Sequence, residues 1–212
     1  MMEIKDLIRE NIKSLEAYSS ARDEFKAMSS EFVFIDANEN PFDTGLNRYP
    51  DPQQTLVKEA LSKLKGISEE QILLGNGSDE VLDLIFRVFC EPRVDNVIVL
   101  PLTYGMYEVL ANTNAIELVK IPLVENFQPN VKEIIKGQDA KTKLLFLCSP
   151  NNPTANSFDA NKIETLIKEF NGIVVIDEAY IDFSIEDSWL CRLDEFPNLT
   201  SPVWAIKPSI TL

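Results

Sequence analysis

Asp177 and Glu178 follow directly on the apolar run at residues 173–176, and Ala179 and Tyr180 come next. A carboxylate at the end of a buried strand is costly unless something pairs with it. A protonated ring nitrogen, such as that of a pyridinium, is one such partner. The acid keeps the nitrogen protonated, and the protonated ring then withdraws electrons from a substrate carbanion. Tyr180, three residues beyond Asp177, could reach the same ligand. The competing readings of Asp177 are a Walker-B acid on magnesium and a helix N-cap. The magnesium reading is weak, because no Gly-Lys-Ser Walker segment is present.

Other segments carry complementary chemistry. Gly75-Asn76-Gly77-Ser78-Asp79-Glu80 follows a short apolar run. Its glycines permit a sharp turn, and Ser78 suits an N-cap. A helix opening there would aim free amides and a positive helix end at one spot, which suits a phosphate. The plain alternative is a capped strand–turn–helix. In Ser149-Pro150-Asn151-Asn152-Pro153-Thr154 the prolines stiffen a turn and fix where the Asn152 amide points, or they make a rigid turn and nothing more. In Pro101-Leu102-Thr103-Tyr104-Gly105-Met106-Tyr107, Tyr104 could lie flat on an aromatic ligand ring, or it could be a core tyrosine.

Positioning these residues requires strands that end where the motifs begin. Apolar runs at 72–74, 96–100, 116–121, 144–148 and 173–176 read as strands. Helical periodicity covers 4–15, 53–65, 81–89, 104–113, 130–136 and 159–170. In the 53–65 helix, Leu56, Val57, Ala60, Leu61 and Leu64 share one face. Strands alternating with helices imply an α/β fold, and continuous apolar strands imply a sheet covered on both faces. The expected architecture is a three-layer α/β/α sandwich with a mostly parallel sheet. Its motifs lie just beyond strand C-termini, where open α/β sheets bind ligands.

Composition narrows the function classes. The 212 residues carry a formal net charge of −14, which disfavours nucleic acid and anionic membranes as partners. Any phosphate site must then be a local exception built from amides, a helix end or placed cations. The chain has no histidine, which removes His-based catalysis and His-containing metal sites. No apolar run approaches the roughly 20 residues of a membrane span, and the start lacks a signal-peptide core, so a cytoplasmic location is expected. Cys90, Cys148 and Cys191 are widely spaced and read as buried free thiols rather than a disulfide or zinc framework.

As an ordered set, these four motifs resemble the fold-type I pyridoxal-phosphate aminotransferases. Asp36-Ala37-Asn38-Glu39-Asn40-Pro41-Phe42, Asn47-Arg48-Tyr49-Pro50-Asp51-Pro52 and Asn11-Ile12-Lys13-Ser14-Leu15-Glu16-Ala17-Tyr18 resemble the histidinol-phosphate branch of that family. Ala17 and Ala155 stand where the family usually has proline and glycine. The resemblance runs from about residue 10 to about residue 199. It implies that Gly77, Ser78 and Asp79 hold the phosphate of pyridoxal 5'-phosphate and that Tyr104 stacks on its ring. It further implies that Asn152 and Tyr180 hydrogen-bond the ring hydroxyl oxygen and that Asp177 pairs with the ring nitrogen. Tyr49 would reach the cofactor phosphate of a neighbouring subunit, which implies a homodimer. Tyr18 and Asn38 would lie near the substrate. The implied reaction is amino transfer between histidinol phosphate and 2-oxoglutarate, yielding glutamate, in histidine biosynthesis. A phosphothreonine decarboxylase of cobalamin synthesis shares similar N-terminal motifs, and a non-catalytic cofactor-binding fragment is a further reading.

The family continues from the aspartate strand into another strand and a Thr-Leu-Ser-Lys segment, whose lysine links covalently to the cofactor. Here Pro202 and Pro208 interrupt the expected strand, and the flanks of Lys207 do not match. Lys207 is the candidate at about the family spacing, against the ordinary reading of a solvated lysine. The expected organisation is an N-terminal arm at 1–35, a partial cofactor-binding large domain at 36–199 and a divergent tail at 200–212. The small domain would be absent, and the chain alone inactive or nearly so.

Overall fold

A computed structural model describes residues 4–16, 18, 35 and 37–202. Residues 203–212 of the expected 200–212 tail, Lys207 among them, lie outside the described residues, as does most of the 1–35 arm. Two compact units are present, one of Met1–Lys13 with Leu73–Leu212 and the other of Ser14–Ile72.

In chain order, the first unit opens with α1 (Ile4–Leu7) and α2 (Glu10–Lys13). One continuous helix was expected over this stretch. It breaks because the Arg9 amide donates to the Val88 carbonyl at 3.0 Å, while the Arg9 guanidinium reaches Glu91 and the Arg87 carbonyl. The second unit contains α3 (Thr55–Lys65), which ends at Gly66 with φ +72°. Asp51 accepts the Thr55 and Gln53 amides ahead of it. Of the apolar face expected on α3, Leu61 is buried, whereas Leu56 and Leu64 are exposed. In the same unit Glu39 accepts from the Arg48 guanidinium at 2.8 Å and the Tyr49 amide at 3.0 Å.

The first unit then continues through α4 (Ser78–Phe89), β1 (Asn96–Val99), α5 (Met106–Thr113), β2 (Glu117–Lys120), α6 (Val131–Gly137), β3 (Thr142–Cys148), α7 (Ala160–Glu169), β4 (Ile173–Asp177) and β5 (Leu199–Thr200). The five strands form one sheet, ordered β2-β1-β3-β4-β5, and every pairing is parallel. The chain leaves β1 toward β2 and then returns past it to β3 and β4. Right-handed crossovers in opposite directions place their helices on opposite faces. Accordingly α4 and α5 pack with Val97, Val99, Leu144, Phe146, Ile173 and Val175. The other face carries Ile98, Leu145, Leu147, Val174 and Ile176 against α6 and α7. This is the three-layer α/β/α sandwich expected from the pattern of runs.

One expected strand is missing. Residues 72–74 do not form a strand, and Leu73 is exposed. A strand needs a ladder partner, and among the described residues none pairs with it. At the other end of the sheet β5 stops at Thr200, ahead of Pro202. The Pro202 carbonyl still accepts the Glu178 amide at 3.1 Å, beyond the last paired residues of β4 and β5. A proline cannot donate, but its carbonyl remains an acceptor.

Candidate functional site

The order of strands reverses between β1 and β3, which opens a crevice beyond their C-terminal ends. Cys148 and Asp177 are in register at the ends of β3 and β4, and the Ser149 amide extends the ladder to the Asp177 carbonyl at 3.0 Å. Across the crevice, Asn151 ties the loop after β3 to the loop after β1. Its amide nitrogen donates to the Leu102 carbonyl at 2.9 Å, and its oxygen accepts the Thr103 hydroxyl at 2.9 Å. Asn151 therefore holds the turn, while the neighbouring Asn152 is only partly buried. The prolines of this turn sit in cis peptide bonds with Ser149 and Asn152.

Alternation along β4 decides what each acid faces. Asp177 has the parity of Ile173 and Val175 and so points to the α4–α5 side; Glu178 has the parity of Val174 and Ile176 and points to the other. Asp177 is 3% exposed. The Tyr107 hydroxyl donates to its Oδ2 at 2.7 Å, and the Ala179 amide donates to its Oδ1 at 3.1 Å. Burial pushes the Asp177 carboxyl above the usual carboxylate range. These two donors pull it down, and the charge of Asp79 adds to the rise. The thiol of Cys148 is pushed up to about 11 by burial and then by the Asp177 charge.

At the front of α4 the first unit places Gly77 as the N-cap residue, with φ +82° and ψ 173°. This corrects the expectation for Ser78, which is instead the first helical residue. The Glu80 carboxylate folds back onto the Asn76 amide and its side chain, closing the turn. Tyr104 lies beside this helix end, and its hydroxyl donates to Asp79 Oδ1 at 3.0 Å. Burial, then that hydrogen bond, pushes the Tyr104 phenol up to about 12, with Asp177 and Tyr180 close enough to contribute. Asp79, Tyr104, Asp177 and Tyr180 are thus drawn together from four separated stretches of chain. Tyr18, Asn38 and Tyr49 belong to the other unit; Tyr18 and Tyr49 are exposed, and Asn38 has φ +51°.

Some participants carried no individual role in the sequence reading. Tyr107 lies three residues after Tyr104, the spacing of one face in the helix read over 104–113, although α5 itself begins at Met106. Glu178 is fully buried. It accepts the Ser188 hydroxyl at 2.7 Å, the Trp189 amide at 3.0 Å and the Ser201 hydroxyl at 2.7 Å, tying the end of β4 to the segments on either side of Phe196. Adjacent acids after a two-faced strand are the signal for it. Of the cysteines, Cys90 and Cys148 are buried as expected, whereas Cys191 is exposed. It lies in a short 3-10 turn at Trp189–Arg192, whose buried residues are Trp189 and Leu190.

Comparison with known proteins places this geometry. Residues 26–201 match the model of the family described as "Aminotransferase class I and II". The chain is 63% identical over 196 residues to a histidinol-phosphate aminotransferase of Flavobacterium psychrophilum, covering 92% of this chain and 57% of that relative. It is 52% identical over 199 residues to a histidinol-phosphate aminotransferase of Parabacteroides distasonis, covering 94% of this chain and 57% of the relative. The chain thus spans well under two thirds of the length of these curated relatives. Among solved structures, the histidinol-phosphate aminotransferase of Sinorhizobium meliloti, in complex with pyridoxal-5'-phosphate, superimposes with a TM-score of 0.66 at 22% identity. That match covers 74% of this chain and 43% of the other. The histidinol-phosphate aminotransferase of Clostridium acetobutylicum gives a TM-score of 0.65 at 22% identity, over 75% and 47% of the two chains. At these identities the likeness speaks for the fold, whereas the family match covers most of the sequence. This chain belongs to the aminotransferase class I and II family.

Proposed function

We propose that this chain forms the pyridoxal-phosphate seat of a histidinol-phosphate aminotransferase. The observation that carries the reading is Asp177, a desolvated acid at the end of a central strand with its carboxyl raised. Burial without a cation is costly for such a group, and a protonated ring nitrogen offsets that cost. The residues therefore fit the cofactor. When bound, pyridoxal phosphate supplies an electron-withdrawing ring that takes up the electron pair left as a proton leaves carbon.

The chain's own residues then have distinct tasks. Asp177 holds the proton on the ring nitrogen. Tyr104, whose hydroxyl is tethered by Asp79, offers its face to the ring. Asn152 and Tyr180 orient the ring through its hydroxyl oxygen. The amides around Gly77, Ser78 and Asp79, at the positive end of α4, hold the phosphate. The Asp79 carboxylate is engaged with Tyr104, so this residue serves the phosphate through its backbone.

In this reading 36–199 is the cofactor-binding domain, Tyr18 and Asn38 approach the substrate, and Tyr49 reaches the cofactor phosphate of a second subunit in a homodimer. The donor is histidinol phosphate and the acceptor 2-oxoglutarate, in the cytoplasm. High identity to relatives carrying that name supports the substrate assignment.

Two measurements test the proposal. Titration with pyridoxal phosphate should show saturable binding that Asp177→Ala weakens at least tenfold; equal binding by the variant removes Asp177 from the seat. Histidinol phosphate should perturb the cofactor absorbance of the loaded chain saturably while phosphothreonine does not, and the reverse preference refutes the substrate assignment.

A further inference from the structure

Tyr107 is nearly inaccessible, at 1%, and its hydroxyl meets Asp177 across a sheet-to-helix contact. Its ring cannot swing away. It stacks on Phe146 with centroids 4.9 Å apart and planes at 22°, and the Tyr104 ring meets it edge-on at 5.7 Å. Phe146 is backed in turn by Phe86 at 5.1 Å. The hydroxyl is thereby fixed on Oδ2, while the Ala179 amide occupies Oδ1. Each carboxylate oxygen carries one donor set by the protein, so the orientation of the acid is settled before any ligand arrives.

We propose that Tyr107 is a positioning residue that keeps Asp177 ionised and aimed at its partner in the crevice. The proposal rests on the reading of Asp177 as the anchor of a ring nitrogen. Burial and the neighbouring Asp79 both favour the neutral acid, and a neutral acid cannot hold a proton on a ring nitrogen. A hydrogen bond donated to the charged form opposes them. The other titratable groups around the carboxyl are Tyr104 and Tyr180, beside the crevice, and Cys148, whose thiol donates to the Pro150 carbonyl at 3.4 Å. Among the described residues Asp177 accepts from Tyr107 and the Ala179 amide and from none of these three, so the task falls to that pair.

The test is Tyr107→Phe in the 212-residue chain, which removes the hydroxyl and keeps the ring. Carbon NMR of the Asp177 carboxyl, assigned with Asp177→Asn, is followed against pH without added cofactor. The expected result is an upward shift of the Asp177 midpoint by about one pH unit. Pyridoxal phosphate should bind roughly tenfold more weakly to Tyr107→Phe, the equivalent of about 1.4 kcal/mol. In an Asp177→Asn background the same change should have no effect on that affinity. A Tyr107→Phe chain that is less stable but titrates Asp177 at the wild-type midpoint overturns the proposal and leaves Tyr107 a packing residue. A shifted midpoint with no pyridoxal phosphate binding by the wild type upholds the Tyr107–Asp177 coupling and removes the cofactor reading instead. If Tyr107→Phe does not fold, fluorotyrosine placed at 107 keeps the shape and donates more strongly. The Asp177 midpoint should then fall, and an unchanged midpoint overturns the proposal.

Discussion

Replacing Glu178 separates a clamp from a passenger. Its carboxyl receives the Ser188 hydroxyl, the Trp189 amide and the Ser201 hydroxyl, and it is fully buried. Glu178→Ala removes these acceptors at once. Each ordinary hydrogen bond contributes about 1 kcal/mol net, and a buried amide left without a partner costs about 1–3 kcal/mol. The sum is a loss of about 3–5 kcal/mol, a large share of the roughly 5–15 kcal/mol that holds a domain together. Glu178→Gln behaves differently. Its amide oxygen still accepts the Trp189 N–H, and its nitrogen faces the hydroxyls. The Ser201 hydroxyl can turn fully to the Ile176 carbonyl, which it already approaches at 3.0 Å, and accept from the new amide. The glutamine variant should therefore lose only about 1 kcal/mol. Urea unfolding of both variants, followed by tryptophan fluorescence, is the assay, because Trp189 reports on the clamp directly. Two results would refute the reasoning: an alanine variant within 0.5 kcal/mol or so of wild type, or a glutamine variant as damaged as the alanine one.

Further outcomes follow from single residues. Asp177→Asn should stabilise the cofactor-free chain near neutral pH. The folded Asp177 carboxyl is raised, so its contribution to stability is fully present below the unfolded value and is lost as pH rises through the folded one. The advantage of the asparagine chain should grow from acid to neutral pH by about 1.4 kcal/mol per unit of elevation; a pH-independent difference in urea melts contradicts it. Gly77→Ala places a Cβ on a backbone at φ +82° and ψ 173°, a region that belongs almost solely to glycine. A stability loss of about 1–3 kcal/mol is expected by thermal melting, and a neutral effect would show that this turn relaxes. Asp159 caps α7 by accepting the Asn161 and Lys162 amides at 2.8 and 3.2 Å, so Asp159→Ala should cost about 1 kcal/mol, measured by denaturant midpoint.

Much of this fold could be read in advance because local rules and tertiary demands agree. The runs at 96–100, 144–148 and 173–176 are apolar throughout because both faces of their sheet are covered. The disagreements have local causes. The periodic stretch at 4–15 was broken by one amide, that of Arg9, whose partner Val88 lies far along the chain. Residues 72–74 have strand composition and, among the described residues, no neighbour to pair with. Ser78 has cap chemistry, but Gly77 alone tolerates the backbone angle at that point.

The candidate site divides along the same line. Residue types and order by themselves determined that an acid follows a buried strand, that a glycine turn opens a helix and that Tyr180 lies three residues beyond the acid. Those properties depend on near neighbours in the chain. Only the tertiary structure decided that Asp177 faces α5 while Glu178 faces away, that Tyr107 rather than Tyr104 donates to the acid, and that Asn151 spends its amide on the turn. The reason is geometric. Strand alternation sets two faces, but the direction of each crossover decides which helix covers which, and a hydrogen bond between residues 70 positions apart exists only once both are in place.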